Sequence, residues 1–248
     1  MRTVSNSQIS MYKRCPRSWE FRYIKNLKIP PSGAIVMGSA YHTAIATNFK
    51  NKMVTSNDFS EAELTDAFDT SWNKELQNEI NWQDEKPDLL KDQSYKLILE
   101  YRKWIAPKVF PIAVEQTIFE TIDDKVIFQG IVDLETEKEI IDHKVKGKMI
   151  TQSDADKDYQ VLSYCFLRKK PDFSFHVAIK KKFPEVQIVS VHKNANQINW
   201  WIESVKQIVS QIESGNFPPN NDHFLCSPRW CGYYSLCQDM KGKNYFVF

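Results

Sequence analysis

Two aspartates and a lysine are the residues of this chain best placed to do chemistry. Asp133 ends the run Phe128-Gln-Gly-Ile-Val-Asp133, and eight residues separate it from Asp142 in Ile140-Ile-Asp142-His-Lys144. On a strand, alternation puts Asp142 and Lys144 on one face. A two-residue turn at Thr136-Glu137 sets Asp133 across from Ile140 and diagonal to Asp142, so both carboxylates share that face. Diagonal neighbours lie roughly 7–8 Å apart, near enough for two Asp side chains to share a divalent cation. Hard oxygen ligands favour Mg2+ or Mn2+ over zinc. Such an ion lowers the pKa of bound water and neutralises charge developing on a phosphate, while a lysine positions the nucleophile or stabilises the same charge. The bland alternative is an exposed hairpin with solvent-facing acids. Ile131, Val132, Ile140 and Ile141 flank the acids on both faces and argue for buried strands, where Asp and Lys survive only when paired.

Cysteines form a second constellation. Cys15 stands near the start, Cys226, Cys231 and Cys237 crowd the last 23 residues, and Cys165 lies between. An odd count argues against a disulfide framework and makes metal binding the leading reading. Four thiolates suit a 4Fe-4S cluster or tetrahedral zinc, and spacing does not separate the two. Cys165 reads as core.

Gly130-Ile-Val-Asp133 and Ile141-Asp142-His-Lys144, followed by Gln160-x-x-x-Tyr164, resemble the core signature of RecB-like nucleases within the PD-(D/E)xK superfamily. The resemblance implies that the two acids bind Mg2+ or Mn2+ and that Lys144 is catalytic. Gln160 and Tyr164, four apart on a helix, would face the same site. Gly38-Ser-Ala-Tyr-His42 matches a further element, which implies His42 as a metal ligand; the backbone carbonyl of His143 is implied as another, and Glu115 as an extra acidic member. Asp142 stands where many members carry Glu. Cys15-Pro-Arg with Cys226-x4-Cys231-x5-Cys237 resembles the set that binds the cluster in the iron-sulfur branch, which includes the AddB nuclease domain and the CRISPR-associated RecB-like exonucleases. That branch commonly has two residues between the first two C-terminal cysteines, where this chain has four.

What the resemblance implies is a metal-dependent DNA exonuclease acting on single strands or ends, in recombination, repair, phage DNA processing or CRISPR adaptation. No GxxxxGK[ST] motif is present, so any unwinding would fall to a helicase or another recombination or CRISPR partner. Two other readings stay open: a nonenzymatic DNA-binding or scaffold protein with a structural metal, and a zinc-stapled endonuclease. The first predicts erosion of the acid and lysine set, which is intact.

The elements that must position these residues follow from periodicity. Residues 5–25 read as a helix kinked at Pro16; further helices are expected over 37–50, 60–80 (Ser60 and Glu63 at capping-box spacing) and 89–106. From Pro111 the chain turns rich in Ile, Val, Phe and Thr. Strands are expected over 112–122, 125–135 and 138–146 as a meander, then a helix over 154–168, a hairpin from 174–183 and 186–193, and a helix over 196–214 stopped by Gly215. The expected fold is α/β: a restriction-endonuclease-like core with a mixed sheet flanked by helices. Residues 1–110 form its helical N-terminal region, 111–215 the nuclease core, and 216–248 a cysteine-rich tail packed on the first helix. The formal charge of +2 neither demands nor excludes nucleic acid, so a phosphate-binding surface must be local. Basic runs at Lys144/Lys146/Lys148, Arg168–Lys170 and Lys180–Lys182 are the candidates. No apolar run approaches a membrane span and no signal peptide is evident, which places the protein in the cytoplasm of a bacterial, archaeal or phage-infected cell.

Overall fold

The computed structural model describes residues 1–242, so the last six positions of the predicted tail lie outside the described residues. The chain packs as two compact units whose make-up follows contacts rather than chain order. One comprises Met1–Ile29, Thr121–Ile127 and the chain from Ile202 onward; the other comprises Pro30–Glu120 and Phe128–Trp201. No described helix is long and apolar enough to cross a membrane.

In the larger unit three helices make a layer. α3 (Gly33–Thr55) starts at Ser32, whose hydroxyl accepts the Ile35 N–H, and ends where Ser56 turns left-handed at φ 62°. It extends well beyond 37–50 at both ends, because capping and the polar turns after Phe49 sustain it where the apolar stripe has stopped. α4 (Glu61–Glu75) carries the expected capping box of Ser60 and Glu63. α5 (Pro87–Trp104) opens on proline, where a missing N–H costs nothing. Their buried faces, including Tyr41, Phe49, Phe68, Trp72, Leu97 and Tyr101, close on Leu134, Ile141 and Ala178 of the sheet.

The sheet follows the order β1-β3-β4-β5-β6, with β2 also pairing β3. β2 (Ala113–Thr121) and β3 (Val126–Glu135) form a hairpin, bonded from Ile122 N–H to Val126 O at its turn and from Ile112 N–H to Glu135 O at its far end. β4 (Ile140–Lys146) runs antiparallel to β3, as the meander requires. β5 (Asp172–Ile179) lies parallel to β4, which demands a crossover, and β6 (Glu185–His192) returns antiparallel to β5. The crossover is two helices, α6 (Gln152–Lys157) and α7 (Tyr159–Arg168), where one was expected. Asp158 makes the break: its backbone is extended and its carboxylate caps α7 by accepting the Gln160 N–H at 2.8 Å.

The smaller unit holds β1 (Arg2–Ser5), a strand absent from the sequence reading, whose Arg2 N–H bonds Lys125 O. α1 (Asn6–Arg14) and α2 (Pro16–Tyr23) are the expected kinked helix, fully interrupted at Cys15, which is extended. α8 (Ala195–Glu213) begins in the larger unit and runs into the smaller one, and α9 (Tyr234–Gly242) ends the described chain. Trp19 and Phe217 stack at 5.5 Å, and Tyr12 donates to Asn216 O, so the chain after α8 is packed on the first helices by aromatic contact.

Candidate active site and cysteine pocket

The β3–β4 register corrects the expected turn. Leu134 pairs with Ile141 and Glu135 with Ile140, around a four-residue connection closed by Thr136 N–H to Glu139 O at 2.9 Å. Thr136 Oγ1 also accepts the Glu139 N–H, a side-chain turn that the two-residue reading overlooked. Continued by one step, this register sets Asp133 directly opposite Asp142 rather than diagonal to it. The acids still share a site. Their flanks are less uniformly buried than expected, since Val132, Ile140 and Ile141 are enclosed while Ile131 is 46% exposed.

Asp142 is fully buried. Its Oδ1 accepts a hydrogen bond from Gln160 Nε2 at 2.7 Å, and Lys144 Nζ lies 2.7 Å from its Oδ2 as a buried ion pair. Both oxygens of this buried carboxylate are therefore held, one by an amide and the other by an ammonium. Lys144 also donates to Gln160 Oε1 at 2.6 Å, so one amide grips both charged groups. Gln160 Nε2 reaches Tyr164 Oη at 3.1 Å, and Tyr164 donates to Ile131 O at 2.7 Å. Gly130 permits this approach, because a Cβ there would collide with Leu167 and meet the Tyr164 ring.

Asp133 is held differently. Its Oδ2 accepts the His143 N–H at 2.9 Å and lies 3.1 Å from His42 Nδ1. His42, Glu115 and Asp133 each offer a ligand atom within 4.8 Å of the others. Glu115 occupies the left-handed region at φ 51°, strain that a non-glycine strand residue tolerates only where its surroundings impose it.

The two acids are driven apart electrostatically. Burial pushes Asp142 up to about 7, with Lys144 opposing and Asp133 reinforcing the rise. Burial would also raise Asp133, but the His42 hydrogen bond and charge and the contacts of His143 outweigh it, so its carboxyl is held below the usual range. His42 is raised because Asp133 overcomes desolvation, and Lys144 is raised because Asp142 does the same. Glu115 is raised by burial, then by Asp133. Opposed shifts in adjacent groups are a feature of working sites.

Behind the acids lies a group that the sequence reading missed. Tyr101 Oη sits 2.9 Å from His143 Nε2 and 2.8 Å from His176 Nδ1, all buried, with Phe49 stacked on His143. Desolvation holds both imidazoles down, His176 at about 4, so both are neutral and the phenol donates to one and accepts from the other. A histidine inside the apolar run Phe173-Ser-Phe-His-Val-Ala178 was the available signal.

In the smaller unit Cys15, Cys226, Cys231 and Cys237, none of them disulfide-bonded, line one pocket with Ser18, Asn220 and Tyr233. Burial raises Cys15, but hydrogen bonds from Asn220, Ser18 and Arg17 outweigh it and leave the thiol below its usual value. Ser18 Oγ lies 3.9 Å from Cys231 Sγ. Cys165 is buried and unconnected with this group, its thiol pushed up to about 12 by desolvation.

The sequence profile of the PD-(D/E)XK nuclease superfamily matches residues 3–238. No curated protein sequence matches significantly. Among solved structures, a protein of Eubacterium rectale provisionally described as an exonuclease is similar in fold, with a TM-score of 0.61 and 12% identity over 88% of this chain and 84% of that one. SSO0001 aligns over 96% of this chain and 86% of its own, at 10% identity and a TM-score of 0.46.

Proposed function

Because the chain belongs to the PD-(D/E)XK nuclease superfamily, we propose that it is a metal-dependent DNA exonuclease working on single strands or DNA ends. The observation that carries the reading is the meeting of Asp142, Lys144 and Gln160 with Asp133, which lies within ligand reach of His42 and Glu115.

The residues divide into cation ligands and positioning groups. Asp133, Asp142, His42 and the His143 carbonyl would hold Mg2+ or Mn2+, with Glu115 joining them; oxygen donors around one imidazole suit such hard ions. When bound, the cation supplies a water of lowered pKa and positive charge beside the scissile phosphate. Asp133 is kept ionised by His42 and the His143 N–H, so it is ready to ligate. Lys144 stays protonated between Asp142 and Gln160 and places its charge where the phosphate gains negative charge. Gln160 fixes Asp142 and Lys144 relative to each other, and Tyr164 fixes Gln160 by anchoring on Ile131 O.

The cysteine pocket would take a 4Fe-4S cluster, with tetrahedral zinc as the alternative. Donors aimed at Cys15 favour its thiolate, the form that binds either metal. Anaerobic purification followed by a visible absorption scan separates the two, since a cluster is coloured and zinc is not. The decisive assay is incubation with end-labelled single- and double-stranded DNA, with Mg2+, with Mn2+ and with chelator. Metal-dependent release of short end products, faster from single strands, is expected; intact DNA with every metal would end the proposal.

A further inference from the structure

The three basic runs have different fates in the fold. Arg168 and Lys170 both pair with buried Glu135, Lys169 pairs with Glu120 at 3.0 Å, and Lys170 also donates to Thr136 O at 2.7 Å. Every charge of that run is paired, and the run fastens the end of α7 to the β3–β4 connection. The other two runs are brought together. In the parallel β4–β5 pair Lys146 lies opposite Ile179, and the Lys180 N–H bonds Lys146 O at 2.7 Å. Past that bond both chains leave the sheet through exposed residues, Lys146 to Met149 on one side and Lys181 to Phe183 on the other.

Of the five lysines here, Lys181 is paired with Glu185, and Asp154 is occupied in capping α6. Among the described residues no carboxylate lies within ion-pair distance of Lys146, Lys148, Lys180 or Lys182. Lys182 Nζ instead stands 5.6 Å from the ring centroid of Phe183, which is 76% exposed. Lys146 also repeats the face of Lys144 one pleat further along β4, roughly 7 Å away. Lys148 has the charge of Asp154 near it, while Lys146, Lys180 and Lys182 form no ion pair among the described residues. Cations beside an exposed aromatic ring are the components of single-strand recognition, in which lysines track phosphates and rings stack on unpaired bases.

We propose that this ridge, formed by the end of β4 and the β5–β6 turn, carries the backbone of single-stranded DNA at the candidate active site. Lys146, Lys148, Lys180 and Lys182 pair with successive phosphates, and Phe183 stacks on a base. The inference rests on the nuclease reading and adds the path of the substrate to it.

The test uses the full chain in chelator, with fluorescence anisotropy of a labelled oligothymidylate read across a salt series. K146Q/K180Q/K182Q should bind at least tenfold more weakly at low salt, with a salt slope shallower by about 2, since each lost phosphate contact on a single strand removes about 0.7. K182Q alone should lose about 0.7, which keeps the test valid if the triple variant folds poorly. F183A should weaken single-strand binding about tenfold and leave a blunt duplex unchanged. K169Q, whose charge is already paired, should change neither. In the cleavage assay the triple variant should raise KM and keep kcat. Unchanged affinity and slope in the triple variant, while the wild type binds and cleaves, would overturn the ridge and leave the nuclease standing. Equal losses on duplex and single strand, with F183A silent, would overturn its single-strand character. A wild type that neither binds nor cleaves would remove both proposals.

Discussion

The acidic site of the larger unit and the cysteine pocket of the smaller unit are both groups of potential metal ligands, yet they are built on opposite plans. Asp133, Asp142 and Lys144 sit on paired strands, and hydrogen bonds from Gln160, His42 and the His143 N–H already fix them. Three of the four cysteines lie in a stretch where, among the described residues, only α9 is regular, and the contacts of Cys231 with Ser18 and of Cys226 with Asn221 are both 3.9 Å long. In the acidic site the proposed cation would serve chemistry alone. In the cysteine pocket, whose walls are irregular chain, the proposed metal would also supply order, because ligand binding is then folding energy.

The largest effect that would sharpen this contrast is Lys144→Ala. Removing a charge aimed at the developing phosphate should cost at least a hundredfold to a thousandfold in kcat. DNA binding should barely move, because the role lies in the transition state, while Tm should fall, because the variant leaves buried Asp142 without its cation. Circular dichroism melting alongside single-turnover cleavage checks it; normal turnover in the variant removes the lysine from the mechanism.

Cys231→Ala should instead spare turnover. Loss of one ligand should lower folded yield and Tm, and should leave the kcat of whatever folds close to wild type. A stable, fully yielded variant would show that the cysteine is not a structural ligand, and the contrast between the two regions would collapse.

A third prediction concerns protons. Asp142 is raised to about 7 by burial, with Asp133 adding to the rise against Lys144. Below that value the carboxyl is increasingly protonated, and a proton must leave before a cation binds. The Mg2+ needed for half-maximal cleavage should therefore climb as pH falls below about 7, by roughly tenfold per pH unit for this group, and the raised His42, which must also shed its proton to ligate, should steepen the climb. Asp133, held low, should contribute nothing over that range. Mg2+ titrations at several pH values read this directly, and a requirement that stays level between pH 6 and 8 contradicts it.

The same contrast explains what could be read from sequence. Strand alternation and the spacing of Asp133, Asp142 and Lys144 are local facts, so the meander and the shared face were legible. Gln160 and Tyr164 were legible through helical spacing and family resemblance together. The register was not, because Thr136 and Glu139 close a four-residue turn through a side-chain bond that a pattern of apolar residues does not encode. The break at Asp158 escaped for a related reason: capping competes with helix continuation, and the apolar stripe runs through both helices. Glu115 was marked by resemblance alone, since its left-handed backbone at φ 51° is imposed by tertiary structure. Tyr101 and His176 were hidden because their partners lie 42 and 75 residues away from the tyrosine, and only the folded sheet brings them together.

That hidden group yields the smallest and most diagnostic prediction. Tyr101→Phe removes one oxygen and leaves His143 Nε2 and His176 Nδ1 buried without their shared partner, a loss of about 1–3 kcal/mol in stability. His143 also supplies the backbone N–H that holds Asp133, so a displaced ring should loosen that clamp. Cleavage should fall by about threefold to tenfold in kcat, with the Mg2+ requirement rising while KM for DNA stays the same. A melting temperature that drops with no change in kcat or in Mg2+ requirement would mean that the network supports the core and has no part in positioning the acids. The acidic site would then depend on its strands and on Gln160 alone, and the difference from the cysteine pocket would lie in backbone regularity rather than in layered hydrogen bonding.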